Sequence, residues 1–171
     1  MPVPDHSEWQ QAYARQALAD LDAEEVLRMR EDLPKCEHLH LLQMACEKLG
    51  KAYRCRGGTP PSALRTSHAY VAKVLPQIVA EYAAWATKRP PVHRSRWMSS
   101  VRQLAGEIEV LAPSVEREGS REDNCEYPWR NGTGAVHAPC DEAFGGVIGL
   151  LADIGPIFHK VLRVAATDLA Q

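Results

Sequence analysis

Apolar residues recur at three- and four-residue steps along most of this chain, and alternation of the strand type is nowhere sustained at useful length. Pro2 and Pro4 make the first residues extended, and Asp5 or Ser7 can cap the helix that follows. In that helix Trp9, Ala12, Tyr13, Ala17, Leu18 and Leu21 form one apolar face. Asp22 and Glu25 have the spacing of a capping box, which predicts a bend or restart there. Val26, Met29 and Leu33 then carry a short second stripe up to Pro34.

A central helix is predicted from Lys35 to Arg56, with Leu39, Leu42, Gln43, Cys46, Leu49, Gly50 and Tyr53 facing inward. Glu47 and Lys51 are spaced as a modest surface pair. Gly50 costs about 1 kcal/mol against Ala in a helix interior, so close approach by another helix is the reason to expect for it. Gly57-Gly58 supply a left-handed stop, and Thr59-Pro60-Pro61 a rigid turn.

Ser67 can cap a third helix striped by Val71, Val74, Leu75, Ile78, Val79, Tyr82 and Trp85, with a kink expected at Pro76. After the break at Lys88-Arg89-Pro90-Pro91, Trp97, Val101, Leu104, Ile108 and Leu111 line one side of another helix. The periodicity disappears between Pro113 and Pro139, a stretch too long for an idle connector, whose aromatics predict docking onto the bundle. From Asp141 to Ala170 it returns, glycine-rich, with Gly155-Pro156 expected to split the segment into two helices. The fold class is therefore all-α, a single helical domain of about five to six helices over residues 1–171, with the long irregular loop 113–139 before the last helix.

Composition narrows the function classes. A charged fraction of 25% and a net charge of −2 are ordinary for a globular protein, and leave no global basic field to draw the chain to nucleic acid or membrane. No apolar run approaches about eighteen residues, so no membrane-spanning helix is expected. The five cysteines are scattered and odd in number, and the N-terminus lacks a basic, apolar leader. Both features predict a reduced, cytoplasmic protein.

Residue order now points to a family. The run Gln43-Met44-Ala45-Cys46-Glu47-Lys48-Leu49-Gly50-Lys51-Ala52 follows a Trp-containing first helix (Trp9), ends in Arg56-Gly57, and precedes Ser67-His68. In order and spacing it resembles the HEPN superfamily over roughly Trp9 to Leu75. The resemblance implies an up-and-down helical bundle, frequent homodimerisation, and roles in prokaryotic defence, toxin–antitoxin pairs or RNA processing. It implies an RNA, nucleotide or protein partner and no cofactor. Active HEPN ribonucleases use an Arg-x(4–6)-His motif from each protomer at the dimer interface, often with a polar residue after the Arg.

One such spacing occurs here, Arg130 to His137, with Asn131 as the polar residue. A metal-independent ribonuclease reading gives His137 acid–base work and Arg130 the developing phosphate charge. Seven His and this content of Arg supply roughly two matches by chance, so the spacing alone assigns nothing.

Cys125, His137 and Cys140 are three soft ligands in one segment, but zinc needs a fourth and there is no Cys-x-x-Cys elbow, so no metal site is assigned. Trp129 beside Arg130 suits either base stacking or a hydrophobic clasp for the loop. Arg89, His93, Arg94, Arg96 and Arg102 are the best candidate anion-binding patch. The leading expectation is an accessory or interaction protein, and the alternative is the ribonuclease.

Overall fold

A computed structural model describes residues 6–64, 70–87, 94–113 and 122–171, with the backbone of two short strands between 115 and 120. Among these residues the chain forms six α-helices: α1 (His6–Arg28), α2 (Lys35–Arg56), α3 (Pro61–Leu64), α4 (Val71–Ala86), α5 (Arg94–Val110) and α6 (Gly145–Leu169). A 3-10 turn, Pro139–Asp141, precedes α6. The protein is an all-α bundle, as the periodicity predicts.

The central helix has the predicted bounds and packs against α1, α4, α5 and α6. Being surrounded, it buries more than one stripe. Ala45, Glu47, Lys51, Ala52 and Cys55 are buried along with Leu39, Leu42, Gln43, Cys46, Leu49 and Gly50, whereas Tyr53 stays at the margin. Glu47 and Lys51 are therefore not the expected surface pair. Lys51 Nζ donates to Glu47 Oε1 at 2.7 Å inside the bundle, and Gln43 Nε2 donates to the other carboxylate oxygen at 3.2 Å.

Gly50 does mark a close approach. A Cβ there would lie 3.2 Å from the ring of Tyr70, a buried side chain one residue before α4, so the crowding atom belongs to an aromatic ring. The left-handed stop falls on Gly58, at φ +83°.

Four expectations change. α1 runs unbroken through Asp22 and Glu25, because both reach across to Arg163 of α6 (2.6 and 2.7 Å) instead of forming a capping box. Val26 and Met29 are exposed at 66% and 73%, since the buried stripe continues through Asp20, Leu21 and Glu24. α6 also runs unbroken through Gly155-Pro156. Leu151, Ile154, Phe158, Val161, Leu162 and Ala165 keep one buried face in phase across the proline, which offsets the one hydrogen bond lost. Trp85, expected in the core, is exposed on α4.

The long loop is not wholly irregular. It carries two short antiparallel ribbons, β1 (Val115–Glu116) with β2 (Gly119–Ser120), and β3 (Trp129–Arg130) with β4 (Val136–His137). Two-residue strands are too short to leave a periodic signal. Asn124 fastens the start of the second ribbon: its Oδ1 accepts from the backbone of Glu126 and Tyr127, and its Nδ2 donates to the Tyr127 carbonyl. The Cys125 backbone N–H and thiol both donate to the Leu111 carbonyl, and Glu126 reaches His40 on α2 at 3.3 Å.

Candidate functional site

The β3–β4 ribbon brings together the three residues of the Arg-x(4–6)-His reading. Asn131 Oδ1 accepts from the backbone N–H of Thr133 and Ala135 and from the Thr133 hydroxyl, which builds the turn and fixes the side-chain amide. Its Nδ2 must then be the group facing His137 Nε2 at 2.8 Å, and an amide nitrogen can only donate. Nε2 is consequently an acceptor and the ring proton sits on Nδ1, which donates to Glu142 Oε1 at 2.8 Å. Both ring nitrogens are engaged within the loop. Arg130 turns back to donate to the Gly134 carbonyl, closing the same turn.

Trp129 is buried and its ring stacks on His137, 5.8 Å between centroids at 10°. The indole is buried and packs on the imidazole of its own ribbon, and exposed Tyr127 is the aromatic this loop leaves in solvent. Of the proposed cationic patch, Arg94, Arg96 and Arg102 are exposed along α5, while Arg89 and His93 lie outside the described residues. The three soft ligands do not gather: Cys125 is held at Leu111, His137 by Asn131 and Glu142, and Cys140 contacts Asp141. Among the described residues no group of three His, Cys, Asp or Glu side chains is arranged to hold a metal ion.

A second constellation lies within the bundle. Glu24 of α1 is fully buried, with its carboxylate between two imidazoles from different helices. His38 Nδ1 of α2 lies 3.4 Å from Oε1, and His159 Nε2 of α6 lies 3.3 Å from Oε2. These are ion-pair distances without hydrogen-bond alignment. Arg28, one turn along α1, donates from Nε to Oε1 at 3.1 Å. Burial pushes the Glu24 carboxyl up, but the two histidines and Arg28 together outweigh it and hold the group down at about 2.

His159 Nδ1 lies 2.8 Å from the Gly155 carbonyl, which can only accept, so Nδ1 carries a hydrogen. Nε2 then faces the ionised carboxylate of Glu24. Each imidazole addresses a different oxygen of Glu24, so the donors do not converge on one point as metal ligands do.

Glu24 and His159 of this cluster line a cavity of about 500 Å³ between α1 and α6. Leu151, Ala152, Gly155 and Pro156 form one wall, and Arg28, Lys160, Arg163 and Glu25 stand around it. Sequence reasoning did not find it, because its parts come from helices far apart in the chain. One signal was available: Glu24 is the next position on the buried stripe Ala17, Leu21, where an apolar residue belongs.

Comparison of the chain with protein-family models, with curated proteins and with solved structures finds no match.

Proposed function

We propose that the chain is a HEPN-like accessory or interaction protein of a prokaryotic defence, toxin–antitoxin or RNA-processing system, and that it works in the cytoplasm by binding rather than by chemistry. The observation supporting this reading is the state of His137. An acid–base histidine needs one ring nitrogen free to meet a substrate proton. Here Asn131 donates to one nitrogen and Glu142 accepts from the other, while Arg130 serves its own turn. The Arg–His pair thus fastens a hairpin.

Homodimerisation belongs to the same reading. Val26, Met29 and Trp85 are large apolar side chains left in solvent, the kind a second copy covers. For an RNA partner the exposed Arg94, Arg96 and Arg102 supply phosphate contacts. Among the described residues no helix is long and apolar enough to cross a membrane.

The test incubates purified protein with total RNA in the presence of chelator, beside a His137→Ala variant. The expected outcome is intact RNA in both, with RNA retained in a filter assay by the wild type and lost in an Arg94/Arg96/Arg102→Glu variant. Cleavage by the wild type that His137→Ala abolishes would overturn the binding reading and establish the alternative, a metal-independent ribonuclease using Arg130 and His137.

A further inference from the structure

We propose that the cavity between α1 and α6 is a ligand site for a small organic anion, a phosphate or carboxylate headgroup carried on a compact apolar body. At about 500 Å³ the cavity falls in the range of small-molecule sites, roughly 300–1,000 Å³. Its charges select the sign of the ligand. Both carboxylates that line it are already engaged: Glu24 lies between His38, His159 and Arg28, and Glu25 is held by Arg163 at 2.7 Å.

The cations keep donors in reserve. Arg28 uses Nε on Glu24, and among the described residues its two terminal nitrogens have no partner. Lys160 is exposed and pairs with no carboxylate among the described residues. A planar fork and a point charge on one rim are a complementary set for an oxyanion. Arg163 is taken up by Asp22 and Glu25, so the Arg28 terminal nitrogens and Lys160 are the cationic donors that line the cavity with open positions.

The wall selects the body of the ligand. Leu151, Ala152 and Pro156 present apolar surface, and Gly155 adds no side chain to the space. Water claims about 30 Å³ per molecule, so an inorganic anion alone leaves most of the volume unfilled, whereas a ring or short chain behind the headgroup fills it.

None of the hairpin residues takes part, so this inference and the binding reading above fail separately. The experiment is calorimetric titration of the full chain with phenyl phosphate, phenylacetate, inorganic phosphate and, as the neutral control, benzyl alcohol. Saturable binding of one equivalent of phenyl phosphate or phenylacetate is expected, with the tighter of the two identifying the headgroup, and no binding of benzyl alcohol. Lys160→Glu should weaken binding by at least about tenfold, as losing one charge-assisted contact does. Ala152→Trp should abolish it by filling the cavity. Both positions are exposed, so folding is retained, as thermal melts by circular dichroism will register. Lys73→Glu, exposed on α4 and outside the cavity, should leave the affinity unchanged. Absence of saturable binding for both aromatic anions at millimolar concentration, or unchanged affinity in either cavity variant, overturns the proposal.

Discussion

Glu24 shows how a single buried charge can tie helices together. It is the common partner of side chains from α1, α2 and α6, so its removal leaves the Arg28 guanidinium and two imidazoles without the carboxylate they share. Breaking a buried pair on one side typically costs about 3–5 kcal/mol. Glu24→Gln should fall in that range by urea denaturation at pH 7; a loss below about 1 kcal/mol would mean that solvent already compensates the cluster. The pH dependence follows from the direction of the shift. The folded-state pKa, about 2, lies below the ordinary carboxylate value. The contribution is therefore fully present above the ordinary value and is lost as pH falls towards 2. The urea midpoint of the wild type should drop more steeply below about pH 5 than that of Glu24→Gln. Parallel curves would remove Glu24 from the acid response. Little of this was legible in the sequence. A glutamate followed by an arginine four residues on reads as a surface pair, and only the phase of Ala17 and Leu21 shows which way it faces.

At the scale of elements the sequence was far more informative, because burial and periodicity are two views of one fact. The bounds of α2, the stripe Val71 to Tyr82 on α4 and the face Trp97 to Ile108 on α5 all reappear as buried sets. The misses occurred where a local rule competed with packing. Gly155-Pro156 is a local stop signal, but the buried face of α6 carries the helix through it. Pro156→Ala should restore the hydrogen bond to the Ala152 carbonyl and raise stability by about 1–2 kcal/mol, the interior cost of proline less its entropic benefit in the unfolded chain. No gain would mean that the surrounding packing already absorbs the strain. Gly50 poses the opposite contest. Alanine there gains about 1 kcal/mol in helix propensity, yet its Cβ would press to 3.2 Å against the buried Tyr70 ring, and overpacking costs about 1–3 kcal/mol. Gly50→Ala should be destabilising in the wild type and stabilising in a Tyr70→Ala background. Equal effects in both backgrounds would clear Tyr70 of the clash.

The whole molecule is a helical bundle with an irregular loop fastened to it, and the two parts were unequally legible for a physical reason. A helix repeats its signal every turn, whereas the loop is held by single contacts: Cys125 to Leu111, Glu126 to His40, Asn124 to its own turn, and Trp129 against His137. No period announces such contacts, and the same residue types, Arg, Asn, His and Trp, also serve as catalytic or stacking groups. The division has a mechanical consequence. Because the helices share a core largely independent of the loop, loss of the loop's buried indole should cost docking and spare the bundle. Trp129→Ala would cost about 3–5 kcal/mol if the ring belonged to one cooperative core. If the loop instead opens as a separate unit, the loss in global stability is capped by the free energy of loop docking. We expect unchanged far-ultraviolet circular dichroism, a urea midpoint close to that of the wild type, and rapid proteolytic cleavage within residues 122–138. Collapse of the helical signal would show that the loop and bundle fold as one unit, and that the hairpin is structural for the whole chain.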